Sequence, residues 1–133
     1  KKNSTKSDGS GNIYVVGSTI NTSGDYDILI EKLSPSGLRQ WIQQYSGPSG
    51  KDAFAMALFI SDSGNVYVTG CVNAPTIDSN NIITLKYNSL GALLWSAEYN
   101  GPGSSNDIGT DLTVTDIGTV FVCGGTYNSS SKN

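Results

Sequence analysis

Histidine is absent from all 133 residues. That removes Ser-His-Asp triads, Cys-His pairs, a histidine general base and histidine metal ligands together. Charge is scarce: only 14% of residues are Asp, Glu, Lys or Arg, against about 25% in ordinary soluble domains. Eleven acidic side chains outnumber eight basic ones, for a net charge of −3 and a pI near 4.6. The basic stripe of a nucleic-acid binder is therefore missing. Two cysteines are too few for a disulfide framework. No apolar run approaches the length of about 18 residues that a membrane helix needs. The chain opens Lys1-Lys2-Asn3 without a methionine and without an apolar stretch behind the lysines. No signal peptide is expected within it: either one was removed, or the chain is a piece of something longer.

What fills the space is uncharged polarity, with 16 glycines among many Ser, Thr and Asn, and it is periodic. Gly11-Asn12-Ile13-Tyr14-Val15-Val16-Gly17 recurs as Gly64-Asn65-Val66-Tyr67-Val68-Thr69-Gly70 and again as Gly118-Thr119-Val120-Phe121-Val122-Cys123-Gly124, at offsets of 53 and 54 residues. At an offset of 54, Lys32 matches Lys86, Gly37 matches Gly91, Trp41 matches Trp95, Tyr45 matches Tyr99, and Gly47-Pro48 matches Gly101-Pro102. One domain over 1–133 is expected, with repeat units at about 11–63, 64–117 and a partial 118–133.

Within a unit the composition is that of short strands. Asp52 to Ser61 ends in Leu58-Phe59-Ile60, Val66 to Thr69 is β-branched and aromatic, and Ile82 to Tyr87 and Leu93 to Tyr99 follow. Asp62-Ser63-Gly64-Asn65 and Asn88-Ser89-Leu90-Gly91 supply turn chemistry between them. Four strands in about 50 residues is the size of a β-propeller blade. A lone blade cannot bury both faces, whereas stacked blades can.

At these residues the chain resembles the bacterial seven-bladed β-propeller repeat family. The matching features are Gly64 to Gly70, the Ile82-Ile83-Thr84-Leu85-Lys86-Tyr87 strand, and Gly91 to Trp95 followed by Tyr99 and Gly101, with Asp25-Tyr26-Asp27 placed likewise in the first unit. The resemblance covers roughly residues 9–126. It implies an all-β chain of four-stranded antiparallel blades, about two and a half of them, in an incomplete ring. It also implies a secreted or cell-surface bacterial protein without an assigned activity. By analogy with propellers, the segment before each Gly-Asn turn is the innermost strand. Ala53 to Ile60 and Ile108 to Thr115 fit that role, and the polar residues 1–8 do not, so the first blade is expected to be incomplete.

Trp41 and Trp95 are candidate ligand-binding residues, as a sugar-stacking platform repeated around a ring. The alternative is a packing anchor between blades with a satisfied indole N–H. Asp25 and Asp27 are a candidate calcium pair, although the matching Ser79-Asn80-Asn81 lacks the charges; turn chemistry is the alternative. Asp62 and Asp116, with Asp8 displaced by one residue, are expected to accept turn N–H bonds. Gly47-Pro48-Ser49-Gly50-Lys51-Asp52 lacks the spacing and the hydroxyl of a phosphate loop. Ser34-Pro35-Ser36-Gly37 to Trp41 departs from the sialidase Asp-box, and Arg39 is the sole arginine. Cys71 and Cys123 are not repeat equivalents, and two buried free thiols are expected. Asn3, Asn21 and Asn128 begin glycosylation sequons of the kind an Asn- and Ser-rich chain produces by chance.

The expected function is a non-catalytic binding or scaffold module needing no cofactor. Its partners would be other propeller repeats, copies of itself, or a glycan or protein ligand. One alternative is a structural subunit that self-assembles through open blade edges. Another is a glycan-active enzyme using Asp52, Asp107 and Asp111. Asp107 and Asp111, four apart on one strand, would lie about 13–14 Å apart, beyond the roughly 5–9.5 Å that glycoside hydrolysis uses.

Overall fold

The computed structural model describes residues 2–47, 50–73, 79–102 and 106–126. Ten strands form three antiparallel sheets, with no helix among the described residues. Sheet I contains β1 (Lys2–Ser7), β2 (Ile13–Ile20), β3 (Tyr26–Leu33) and β4 (Arg39–Tyr45). Sheet II contains β5 (Ala53–Ile60), β6 (Val66–Asn73), β7 (Asn80–Tyr87) and β8 (Leu93–Tyr99). Sheet III contains β9 (Asp107–Val114) and β10 (Val120–Thr126). Within each sheet, strands consecutive in sequence are hydrogen-bonded neighbours, and among the described residues the sheets form no closed ring.

The expectation that residues 1–8 leave the first sheet incomplete is corrected here. Lys2–Ser7 pairs antiparallel with β2, from Lys2 opposite Gly17 to Ser7 opposite Ile13. The segment has no apolar alternation because it lies at a sheet edge. There the backbone ladder to β2 supplies the pairing, and most of its side chains are solvated. Only sheet III, within the described residues, has fewer than four strands.

Six hairpin loops share one design. A capping residue with an oxygen-bearing side chain, at Asp8, Asn21, Ser34, Ser61, Asn88 and Thr115, starts each loop, and a glycine follows three residues later. The capping residue's carbonyl accepts the glycine N–H, and its own N–H donates to the carbonyl four residues on. Its side chain accepts the N–H of that same residue four positions on, at 2.9–3.1 Å. The glycines Gly11, Gly24, Gly37, Gly64, Gly91 and Gly118 all have φ between +78° and +92°, a region that L side chains avoid.

A second device explains the recurring Gly17, Gly70 and Gly124. The first strand of each sheet carries one extra residue, namely Asn3, Met56 and Thr110, facing those glycines across the ladder. The bulge presses backbone against the glycine: a Cβ on Gly70 would lie 1.9 Å from the Phe54 carbonyl oxygen, and one on Gly124 would lie 2.2 Å from that of Ile108. The bulged Asn3 turns its amide toward sheet II, where Nδ2 donates to the Ala55 carbonyl at 2.6 Å.

The sheets stack face to face. Tyr14, Val16, Ile28 and Ile30 of sheet I meet Ala53, Ala55, Val66, Val68, Ile83 and Leu85 of sheet II in the main core. The opposite face of sheet II, at Ala57 and Tyr67, meets Leu112, Val120 and Val122 of sheet III in a smaller one. Two hydrogen bonds repeat at these junctions. The N–H of Tyr26, at the start of β3, donates to Asp52 Oδ1 at 2.7 Å, and that of Asn80, at the start of β7, donates to Asn106 Oδ1 at 3.0 Å.

Candidate functional site

The repeated aromatic and lysine positions form one row across each sheet. In sheet I, Lys32 sits between Tyr14 and Trp41 in register. Its Nζ is 5.3 Å from the Tyr14 ring centroid, and Trp41 meets that ring edge-on at 6.2 Å. In sheet II, Lys86 lies between Tyr67 and Trp95, at 5.2 Å from the Tyr67 centroid, with Trp95 edge-on at 6.4 Å. Both rows are cation–π and edge-to-face arrangements.

The rows differ in what covers them. Trp41 faces sheet II, and its Nε1–H donates to the Ser89 carbonyl at 3.1 Å. The loop there comes close enough only because Gly91 has no Cβ: one would stand 2.9 Å from Trp41 Cδ2. Tyr45 of β4 also reaches across toward Ser96 of β8, and burial raises its pKa. On sheet II the corresponding residues are open: Trp95 is 36% exposed and Tyr99 55% exposed. The structure thus uses Trp41 as a joint between sheets and leaves Trp95 partly exposed, on a face that no further sheet among the described residues covers. Between that face and β10 runs a groove of about 420 Å³ lined by Ile82, Thr84, Ala97, Tyr99, Val120 and Val122, among others.

The carboxylates are mostly held by hydrogen-bond donors. Asp27 is buried and accepts from Gln44 Nε2 at 2.6 Å, Ser46 Oγ at 2.8 Å and Asn21 Nδ2 at 3.1 Å. These donors supply the positive ends that a cation would. Asp25 closes the 21–25 loop, its backbone N–H bonded to Asn21 Oδ1. Among the described residues no group of three or more Cys, Asp and Glu is gathered where a metal could sit. In sheet II the loss of charge at Asn81 is matched by a gain across the sheet, where Asn81 Nδ2 donates to Glu98 Oε2 at 3.2 Å. Asp27–Gln44 and Asn81–Glu98 are the same contact with acid and amide exchanged.

Asp52, Asp107 and Asp111 share no common donor, each accepting a different backbone N–H. Asp52 holds the Tyr26 N–H, Asp111 Oδ1 accepts the N–H of Leu112 at 2.9 Å, and Asp107 Oδ2 accepts that of Gly101 at 2.5 Å. Asp107 is fully buried, and its Oδ1 has no hydrogen-bond partner among the described residues.

Two expectations are corrected. The turn N–H groups go to Asp8, Ser61 and Thr115, not to Asp62 and Asp116. The displacement of Asp8 by one residue is the reason: Asp8 aligns with Ser61, and the cap position accepts any short oxygen-bearing side chain. Asp62 and Asp116 instead line shallow clefts of about 320 and 260 Å³ between successive loops. The hydrogen bonds, above all from the Asn12 side chain, hold the Asp8 carboxyl below its ordinary pKa, and burial pushes the Tyr14 hydroxyl up to about 12. Both cysteines are free, but only Cys71 is buried; Cys123 is exposed because it lies on the uncovered side of sheet III. Burial raises the Cys71 pKa.

The sequons at Asn3 and Asn21 fall on engaged amides, while Asn128 lies outside the described residues, as do Pro48, Ser49 and residues 103–105. Sequence reasoning missed the shared capping position, the acid–amide exchange and the groove. The first was readable as Asp, Asn, Ser or Thr three residues before each loop glycine. No protein-family model matches the chain, and no curated protein matches it.

Proposed function

We propose that the chain is a non-catalytic scaffold and binding module, its sheets the blades of a β-propeller-type repeat in a secreted or cell-surface bacterial protein. The observation that carries this is the repeated junction. The same N–H-to-side-chain bond at Tyr26–Asp52 and Asn80–Asn106 joins each sheet to the next. A repeat that spends its recurring polar residues on sheet-to-sheet joints is built for stacking. The carboxylates that a glycan-active site would need are occupied by backbone donors, which supports the scaffold reading over the enzymatic one. The ligand surface would be the exposed loops or the open face at Trp95.

The test is a paired screen: glycan and protein arrays for binding, and chromogenic glycosides for turnover. Binding without turnover is the expected result. Turnover that disappears in Asp107→Asn, with no binding on either array, would overturn the proposal.

A further inference from the structure

We propose that Asn100-Gly101 is a self-modification site, where the asparagine side chain closes on the Gly101 nitrogen to form a succinimide, and that the buried Asp107 carboxylate is the latch that keeps it unreacted. The inference goes beyond the scaffold reading and stands on different observations: one hydrogen bond, and a comparison of two units of the repeat.

Asn100-Gly101 is the one Asn-Gly step in the sequence. Glycine puts no side chain in the way of its own nitrogen, so an asparagine before it closes most readily. Asn100 is exposed just past the end of β8, and its amide has no hydrogen bond among the described residues. The described asparagines that precede Ser or Thr are all engaged. Asn3 Nδ2 donates to the Ala55 carbonyl, Asn21 Nδ2 donates to Asp27, and Asn88 Oδ1 accepts the N–H groups of Leu90 and Ala92. Asp8-Gly9 could form the same ring, but its carboxylate accepts from the Ser10 and Asn12 N–H groups, the Asn12 side chain and the Tyr14 hydroxyl.

The nitrogen that must attack is the one that is held. The Gly101 N–H donates to Asp107 Oδ2 at 2.5 Å, and Asp107 is fully buried. To attack, this nitrogen must shed its proton, which would set an amide anion directly against a buried carboxylate. Two like charges at that spacing do not form together. While Gly101 stays on Asp107 the step is silent, and a local opening that parts them frees the nitrogen. The reactive step and its latch occur together in the repeat. In the preceding unit Ser46-Gly47 stands for Asn100-Gly101 and Ala53 stands for Asp107, so neither half is present. The latch also fixes the glycine: a Cβ on Gly101 would lie 2.8 Å from Asp107 Oδ1 and 3.0 Å from Thr126 Cγ2.

The reaction needs only hydroxide and water. Hydroxide takes the Gly101 amide proton, the nitrogen bonds to Asn100 Cγ, and the Cγ–Nδ2 bond breaks with Nδ2 leaving as ammonia. Water then opens the ring at either carbonyl, restoring the Gly101 N–H and leaving aspartate or isoaspartate at position 100. The isoaspartate form carries an extra methylene in the backbone before Gly101. Its N–H no longer falls on Asp107 Oδ2, and the buried carboxylate loses its only donor among the described residues. The joint between sheets II and III is then loosened at β9.

The full chain is incubated at mildly alkaline pH, native and in guanidinium chloride, and deamidation at each asparagine is followed by mass spectrometry of proteolytic peptides. Asn100 should react slowly in the native chain and much faster when unfolded, where Asp107 makes no difference. Native Asp107→Ala and Asp107→Asn should each react about tenfold or more faster than the unsubstituted chain, the factor set by a hydrogen bond to a charged group. Trp41→Phe, which weakens the other joint, should leave the native rate unchanged, and Asn100→Ser should abolish the reaction there. The isoaspartate form, separated by ion exchange, should show faster amide hydrogen exchange in β9. No reaction at Asn100 in guanidinium overturns the site. Equal native and unfolded rates, Asp107 variants no faster than the unsubstituted chain, or Trp41→Phe as fast as Asp107→Ala overturn the latch. Unchanged β9 exchange in the isoaspartate form overturns the loosening of the joint.

Discussion

Trp41 and Trp95 occupy one position in the repeat and differ in what lies on top of them, so replacing each by phenylalanine isolates the worth of the sheet-to-sheet joint. In Trp41→Phe the hydrogen bond to the Ser89 carbonyl is lost, a net effect of about 1 kcal/mol. The smaller ring also withdraws apolar area from a closed interface, at about another 1 kcal/mol. Gly91 and its loop cannot collapse freely into the space, because the loop is fixed by the Asn88 cap. The expected loss is therefore about 2 kcal/mol or slightly more. In Trp95→Phe no hydrogen bond is broken and the indole is already partly wet, so about 0.5 kcal/mol is expected. At this chain length the difference of about 1.5 kcal/mol separates the two melting temperatures by roughly 4–8 °C. Urea unfolding followed by far-UV circular dichroism measures both variants without relying on the residue removed. Equal losses, or a larger loss at Trp95, would refute the claim that coverage by the next sheet makes this position matter.

Other outcomes follow from the same geometry. Gly70→Ala places a Cβ against the Phe54 carbonyl oxygen, and a loss of about 3 kcal/mol or more, or failure to fold, is expected; expression and chemical denaturation report it. Asp27→Asn should destabilise by about 1.5–3 kcal/mol, and adding Gln44→Glu should recover much of that by rebuilding the Asn81–Glu98 arrangement; a double mutant no better than the single argues against the exchange. Tyr14 ionises near 10 when unfolded and at about 12 when folded. Its contribution to stability is therefore complete below pH 10 and is lost as pH rises through 12, so Tyr14→Phe should flatten the alkaline stability profile over that window. The lowered Asp8 pKa acts in the opposite sense, with stability present above pH 3.8 and lost as pH falls below it; Asp8→Asn should weaken the acid dependence measured by urea unfolding.

Strands with strong β-branched or aromatic content were legible before the fold. The Asp52 to Ser61 run holds β5, and Leu93 to Tyr99 coincides with β8. The repeat supplied the phase, since identical spacing of Gly, Lys and Trp places equivalent strands without any contact information. β1 escaped notice because hydrophobic pattern reports burial, and an edge strand with solvated side chains carries no such pattern. The acid–amide exchange was hidden for a different reason. A comparison of one position at a time reads Asn81 as a lost charge, while Glu98, 17 residues on, replaces it only once the strands are paired. Exposure at Cys123 was equally beyond reach, because burial of that face depends on a neighbour sheet and not on the strand itself.

Hydrogen exchange across the ten strands tests the stacked, open-ended arrangement most directly. On dilute protein, the amides of β6 and β7, paired on both edges in sheet II, should exchange slowest. Those of β10, which among the described residues pairs with β9 alone, should exchange much faster despite the matching sequence of β6. Protection of β10 equal to that of β6 in the monomer would contradict the account, since it would mean that the edge and the face at Trp95 are already closed.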